Sequence, residues 1–575
     1  MNPPQTKRWR ILRRCLVGLA VCVTLIGLFY TEELWRGKRA WENCKSALEA
    51  KGADFKWADY IPAPVPENEN VFGVPEMQQW FVGRGATEMS KKLVYPGFPD
   101  YHKSPRLVIA EVTIGLPGMP APVGSVVLRW DDPASRTEAA GLLTNAAGST
   151  AIVPLGIGLM LRRPQEIQAA RIFLQCKTAP TEKELQRFLP DHVLGTIDGN
   201  FDTTPQFEPN GSGSYRVTMG ASAIAADYLA WCETLDREFS LIRQALQRPY
   251  ARIEGNFAEP PEIPIPNFVT VRSLTQTLGA RAQCHFLLGR PEEALRDVTL
   301  MQDICRRVTE ENKPMTLVSA MINAAMRGLY VGIIADGMRL QAWREPQLAA
   351  LEEQLKQIHL LPPVKQAFEG HPAYLCQILE TVPPTRLAKL FFNESTARKI
   401  YPWGISVNSI LARLLPSGWL YQNLVTVVNI ERNVTSFVDP TSQIVFPDKV
   451  AATFHETEAV LRHRTPYTFM AAYVFPNYSR AFQTTARNQT KVNQALIACA
   501  LERYHLARGE YPETLDALAP QFIATIPHDV IGGQPPHYRR AADGTFILYS
   551  IGWNGRDNGG VRGKTDAEGD WVWPN

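Results

Sequence analysis

The sequence lacks the short motifs on which most enzyme assignments rest. It has no Walker loop and no GxSxG elbow, and its nearest approach to a dinucleotide-binding turn, Gly156-Ile157-Gly158, has no third glycine. The ten histidines are scattered, and His455 and His463 are two helical turns apart, unlike the i, i+4 pair of a zinc protease. These absences leave the sequence without a candidate catalytic residue.

Paired cysteines and a charge bias are also missing. None of the nine cysteines belongs to a CxxC pair, which excludes a zinc ribbon and a thioredoxin-like site. Lys plus Arg number 60 and Asp plus Glu number 57, so the net charge is only +3 and we expect no nucleic-acid partner. The hydrophobic fraction of 45% is enough for a large folded core.

The first thirty residues contain the clearest physical signal. An uncharged apolar run extends from Cys15 to Tyr30 and follows five basic residues, Lys7, Arg8, Arg10, Arg13 and Arg14. Sixteen helical residues span about 24 Å, and snorkelling of flanking arginines makes up the difference from a hydrocarbon core of about 30 Å. A cleaved signal peptide is the alternative. Because no small-x-small cleavage site follows the run, we favour an uncleaved membrane anchor.

The flanking charges predict the orientation of this anchor. Five basic residues precede the run, whereas Glu32 and Glu33 and then three basic residues follow it. The positive-inside rule therefore places the N-terminus in the cytoplasm and the bulk of the chain in the periplasm, as a single-pass protein of the cytoplasmic (inner) membrane. The next most apolar stretch, Ser319 to Leu340, is interrupted by charged and polar residues and is predicted to be a buried soluble helix.

The residue pattern predicts an α+β fold that is predominantly α. Residues 1–32 form the cytoplasmic tail and transmembrane anchor, and 33–100 form a helix and a proline-rich spacer. Residues 101–222 are a mixed α/β region with predicted strands at Leu107–Ile114, Gly124–Trp130 and Ser214–Thr218, and a helix at Thr181–Leu189.

Residues 223–487 are predicted to be a helical array. Six segments have apolar residues at helical spacing: Ala225–Leu246, Val269–Leu288, Glu292–Val308, Thr316–Met338, Pro346–His359 and Trp419–Thr435. One turn, around Gly289-Arg290-Pro291, is of the tetratricopeptide type. No 34-residue period accompanies it, which favours a generic antiparallel array over a repeat solenoid.

Residues 488–575 have a compact local pattern. A helix is predicted at Gln489–Ala507, then a short helix through Leu515 and Leu518, then strands at His537–Arg540 and Thr545–Ser550 joined by an Asp-Gly turn. This order, with Tyr511-Pro512 and Tyr549-Ser550-Ile551-Gly552, resembles the periplasmic domain of type II secretion major pseudopilins. The resemblance implies a small pseudopilin-like α+β domain and a possible link to type II secretion.

The chain departs from the pseudopilin pattern in two ways. It has no prepilin processing site, and its apolar segment lies far upstream of the resembling region, so we expect no polymerisation into a pilus. Asn554 stands where the family has an Asp in its calcium loop. The whole chain also resembles uncharacterised membrane-anchored families of planctomycetes and verrucomicrobia, which implies no activity.

The polar tail supplies candidate metal ligands. Asp557, Asp566 and Asp570 lie among glycines that let backbone carbonyls turn inward, and calcium takes six to eight such oxygens. We therefore name these three residues as a candidate calcium site. The alternative is a solvated, turn-rich tail.

Two functions remain open. The favoured one is a non-catalytic, membrane-anchored extracytoplasmic scaffold or interaction protein whose partners are the membrane and other envelope proteins. The alternative is an extracytoplasmic hydrolase or carbohydrate-binding protein, which two carboxyl groups in one deep pocket would favour.

Overall fold

The computed structural model describes the chain from residue 5 to residue 574 with several gaps. The longer gaps are 94–106, 113–125, 131–159, 176–205, 208–212, 218–227, 382–398, 401–404 and 407–414, and the shorter ones are 164–165, 169, 260–261, 312, 314, 437 and 463–464. The described part is mostly helical with small sheets. The predicted, predominantly helical character of the fold is confirmed.

The first helix, α1, is continuous over Gln5–Glu49. Its apolar side chains between Leu12 and Phe29 are exposed, and the helix is long and apolar enough to cross a membrane. The predicted continuation of the helix beyond the apolar run is confirmed. Gly52 follows it at φ 87°, a left-handed conformation that favours glycine after a helix end.

Helices build the rest of the body. In chain order they are α2 (Trp57–Tyr60), α3 (Pro75–Phe81), α4 (Glu88–Lys92), α5 (Asp236–Leu246), α6 (Phe268–Leu287), α7 (Pro291–Ile304), α8 (Leu317–Arg339), α9 (Glu345–Lys356), α10 (Leu361–Thr381), α11 (Ser417–Thr435), α12 (Pro447–Arg462) and α13 (Phe469–Arg508). A π-helical turn, Cys305–Glu310, extends α7.

Local sequence signals explain several of these boundaries. The Asn267 side chain accepts the Thr270 N–H at 3.0 Å and begins α6, and Thr316 Oγ1 accepts the Ser319 N–H at 3.1 Å and begins α8. Gly289, at φ 68°, follows α6, and Pro291 opens α7. The glycine and proline turn predicted between these two helices is therefore confirmed.

The strands within 101–222 form small antiparallel sheets. They are β1 (Leu107–Val112), β2 (Val126–Trp130), β3 (Met160–Arg163), β4 (Glu166–Gln168), β5 (Ala170–Gln175), β6 (Gln206–Phe207) and β7 (Gly213–Val217). Five of them form one sheet in the order β5-β1-β2-β7-β6, and β3 pairs with β4. The three strands predicted from sequence correspond to β1, β2 and β7, which are neighbours. The predicted helix Thr181–Leu189 lies outside the described residues.

The remaining strands are short except at the C-terminus. β8 (Lys399–Ile400) pairs with β9 (Ile405–Ser406), and β10 (Val438–Asp439) pairs with β11 (Ile444–Val445). A three-stranded antiparallel sheet of β12 (His537–Arg540), β13 (Phe546–Ser550) and β14 (Trp571–Val572) closes the chain. The predicted hairpin is thus confirmed, and β14 is an addition to it.

α8 and α13 form the centre of the helical body. α8 packs against both α6 and α13, and its Tyr330 is fully buried. The apolar α8 is mostly buried, which confirms the prediction of a soluble core helix. α13 contributes to two hydrophobic clusters, with Val492 and Ala495 in one and Phe482 in the other.

The C-terminal sheet shares its core with the helical array. The boundary predicted at 487–488 falls inside α13, which is continuous across it. Leu518, Leu548 and Trp573 belong to the same buried cluster as α6, α7 and α8. The segment 488–575 is therefore packed into the body along its own helix.

The cysteines of the described residues carry free thiols. They are Cys15, Cys22, Cys44, Cys232, Cys284, Cys305, Cys376 and Cys499. Burial raises the pKa of Cys232 to about 12 and that of Cys305 to about 11, so neither thiol ionises readily at neutral pH.

Candidate functional sites

Asp529 ties the loop before the hairpin to the Tyr549-Ser550-Ile551-Gly552 motif at the end of β13. Its carboxylate is buried and accepts hydrogen bonds from the Ser550 hydroxyl at 2.7 Å and from the N–H groups of Ile531 and Ile551 at 3.0 and 3.2 Å. Burial raises the pKa of Asp529 against the effect of these donors. Asp529 therefore fixes the end of β13 to the loop that precedes the hairpin.

The structure places the three predicted calcium ligands against protein donors. Asp557 Oδ1 accepts the Tyr549 hydroxyl at 3.1 Å and the Gly559 N–H at 2.8 Å, and this N–H lowers the pKa of Asp557. Asp566 is ion-paired with Arg487. Each of these carboxylates is thereby tied to a different part of the surface.

Asp570 is the buried member of the set and serves to order the loop. It accepts the N–H groups of Asn558 at 3.0 Å and Gly560 at 2.7 Å. Among the described residues, no group of three or more His, Cys, Asp or Glu side chains could hold a metal ion. A calcium site at these three aspartates stays a prediction. Comparing the melting temperature of the full chain in calcium and in chelator tests the site directly.

A polar contact just after the apolar run holds α1 against α11. Glu33 is buried and accepts hydrogen bonds from Trp419 Nε1 at 3.0 Å, the Tyr467 hydroxyl at 3.2 Å and Arg36 at 3.1 Å. Nearby, Gly37 and Gly418 let the two helix backbones touch, since a Cβ on Gly37 would lie 2.2 Å from the Gly418 carbonyl oxygen. We call this set of residues the juxtamembrane contact.

A cavity of about 720 Å³ lies among α2, α10 and the start of α8. Five aromatic residues line part of its wall: Trp57, Tyr60, Phe368, Tyr374 and Tyr478. The Trp57 ring meets the Tyr374 ring edge-on at 5.8 Å, and its Nε1 donates to the Phe257 carbonyl oxygen at 2.8 Å, which fixes the ring. The volume falls within the range of small-molecule pockets in proteins.

A histidine–glutamate pair forms part of the cavity wall. His371 Nδ1 lies 2.5 Å from Glu431 Oε1, and the Tyr478 hydroxyl donates to the same oxygen. The His371 side chain is 28% exposed, and the Glu431 side chain is 2% exposed. Burial opposes a charged His371, but the charge and hydrogen bond of Glu431 outweigh it, so the pKa of His371 is raised.

Positive charge gathers at the mouth of the cavity. Arg84 and Lys313 are exposed and line it, and Lys313 Nζ donates to Gln366 Oε1 at 2.5 Å. Leu317 and Val318, the first residues of α8, line it as well. The first N–H groups of a helix have no partner within the helix, and they attract negative charge.

The described lining of the cavity offers few groups of the kinds that act as nucleophiles. Its lining includes neither serine nor cysteine, and its one threonine, Thr316, caps α8. Two carboxyl groups, Asp59 and Glu369, line it but are exposed, and Glu369 lies 3.7 Å from Lys365. The buried carboxylate, that of Glu431, lies behind His371.

Sequence reasoning missed this cavity. His371 and Glu431 are 60 positions apart, so no local motif links them. The polar residues are visible in the sequence but lie far apart in it. The packing of α10 on α11 and α13 brings His371, Glu431 and Tyr478 together.

No protein-family model, curated protein or solved structure gives a significant match to this chain. The function therefore has to be argued from the residues and their geometry alone.

Proposed function

We propose that this protein is a non-catalytic, single-pass membrane protein whose folded body acts as an extracytoplasmic scaffold or interaction module. The observation that carries the proposal is α1, whose apolar half is wholly exposed while its second half is built into the body. Exposed apolar side chains over some eighteen successive residues are stable in lipid and costly in water.

The juxtamembrane contact supports a rigid connection between membrane and body. Glu33 lies one helical turn beyond the apolar run, about 5 Å along the helix axis from Tyr30. Its partners Trp419 and Tyr467 are the aromatic residue types that favour the membrane–water interface. The body would therefore rest directly on the membrane surface, without a flexible tether.

Reporter fusions test the orientation. Alkaline phosphatase and a fluorescent protein that matures only in the cytoplasm are fused in turn to the C-terminus of the full chain. The proposal expects an active phosphatase and a dark fluorescent protein. The opposite pair of results would place the body in the cytoplasm.

We propose that the C-terminal segment links the protein to type II secretion. Support comes from the order of α13, the 3₁₀ turn Leu515–Leu518 and the antiparallel hairpin, and from Asp529 bonded to Ser550. The test is cross-linking of the full chain in membranes to the major pseudopilin, with Tyr538 and, as a control, Trp35 replaced in turn by a photoreactive residue. Equal yields from both positions would argue against the link.

The cavity favours a second function, an extracytoplasmic ligand-binding protein. Its aromatic wall is typical of sites that bind sugars or other ring-bearing molecules. The exposed Asp59 and Glu369 lack the burial that would tune one carboxyl as a general acid, which argues against the hydrolase form of this alternative.

A further inference from the structure

We propose that the cavity among α2, α8 and α10 binds a small organic acid, in which a carboxylate is carried on an aromatic or aliphatic body. This site would give the membrane-anchored protein a soluble ligand in addition to its protein partners. Its chemistry follows from the two halves of the lining, one apolar and one positively charged.

The apolar half is a preformed surface for a ring or chain. Trp57 stacks on Tyr60 at 6.2 Å and meets Tyr374 edge-on, while Phe368 meets Tyr478 edge-on at 4.9 Å. These rings are held by their own contacts, so little side-chain entropy remains to be lost when a ligand enters. Val318, at the mouth, is 52% exposed and leaves an apolar edge for the ligand to cover.

The charged half selects an anion. Arg84 and Lys313 line the cavity, and the start of α8 adds the N–H groups of Leu317 and Val318. Of the two carboxylates in the same lining, that of Glu369 is paired with Lys365, so the two cations outweigh the single remaining carboxylate, that of Asp59. Arg84 has neither a hydrogen bond nor an ion pair among the described residues that would compete with a ligand. A guanidinium also matches a carboxylate with two parallel hydrogen bonds.

His371 can supply a third donor from the wall. With Nδ1 turned toward Glu431, the other ring nitrogen is the one left for the cavity. Glu431 Oε2 is buried without a hydrogen-bond partner among the described residues, so the pair holds negative charge behind the imidazole and favours its protonated form. The ligand would therefore meet an N–H donor at this point of the wall.

Two probes that differ only in charge test the proposal. The full chain in lipid nanodiscs is titrated calorimetrically with 4-phenylbutyrate and with its neutral amide, and empty nanodiscs provide the background for partitioning into lipid. We expect the carboxylate to bind at least tenfold more tightly than the amide. Equal affinities, or no binding of either probe above the background, would overturn the proposal.

Variants then locate the binding. The double change Arg84→Gln with Lys313→Gln should reduce carboxylate affinity to that of the amide, and Val318→Trp should weaken both probes by filling the mouth. Lys564→Gln removes an exposed lysine in the C-terminal tail and should change neither. Carboxylate binding that survives both sets of changes would show that the anion binds elsewhere. Because Arg84, Lys313 and Val318 are exposed, thermal melts of the variants should match the parent.

Discussion

At the scale of single residues, Asp529 carries the most specific structural role. Replacing it with Ala leaves the N–H groups of Ile531 and Ile551 and the Ser550 hydroxyl without their acceptor. We expect a loss of about 1–3 kcal/mol of unfolding free energy, the usual penalty for an unsatisfied buried polar group. Denaturant unfolding of the full chain measures it. Asp516→Ala, at an exposed position in the neighbouring 3₁₀ turn, should have little effect; equal losses would argue against the role of Asp529.

His371 makes stability depend on pH. Its folded pKa is raised above the ordinary value of 6.5 by Glu431, with Tyr478 on the same carboxylate and Tyr374 stacked beside the ring. The stabilisation is therefore complete below the unfolded pKa and is lost as pH rises through the raised folded pKa. The melting temperature should fall as the pH rises above about 6.5, the ordinary pKa of histidine. Glu431→Gln should flatten this fall, and an unchanged slope in the variant would refute the pairing.

At the scale of elements, the approach of α1 to α11 depends on two glycines. A Cβ on Gly418 would lie 1.9 Å from the Glu33 carbonyl oxygen, and one on Gly37 would lie 2.2 Å from the Gly418 carbonyl oxygen. Gly37→Ala should force the helices apart, expose Glu33 and make the 33–52 segment sensitive to protease. Gly27→Ala is the matched control, because nothing lies within 4 Å of its Cβ. Limited proteolysis of membranes compares the two, and identical digestion patterns would mean that the helices are not in contact.

The helices and strands that the sequence predicted correctly are those marked by nearby residues, such as apolar residues at helical spacing and the Asp-Gly turn. The helices α6, α8 and α11 begin within two residues of the predicted positions, and β12 matches its prediction. Helix α10 was not among the predicted helices, and it contains Pro362, Pro363 and Pro372. The first two lie in the opening turn, where no intrahelical N–H is needed, and packing retains the helix around Pro372.

At the scale of the whole molecule, the C-terminal segment depends on the helical array. Val492 and Ala495 of α13 face the same core as Leu548 and Trp573. A fragment of residues 488–575 would expose that face of the helix, so we expect no cooperative thermal transition from it. Circular dichroism of the fragment beside the full chain measures this. A sharp transition in the fragment would instead support a separable pseudopilin-like domain.

The features that could not be predicted depend on contacts between residues that are far apart in the sequence. The juxtamembrane contact joins Glu33 to Trp419 and Tyr467 across 386 and 434 positions, and the cavity assembles residues from three separate helices. Neither the contact nor the cavity corresponds to a periodic pattern or a motif in the sequence, because each depends on how the helices pack against one another.

The central claim is an uncleaved anchor, and the N-terminal peptide of the membrane-bound chain tests it most directly. Membranes are washed with alkaline carbonate, the chain is recovered with detergent, and its N-terminal peptide is identified by mass spectrometry. If the anchor is uncleaved, the chain stays in the membrane pellet and yields a peptide that contains Trp9. A chain found in the carbonate wash, with its N-terminus downstream of Tyr30, would show that the apolar run is a cleaved signal peptide and would contradict the account.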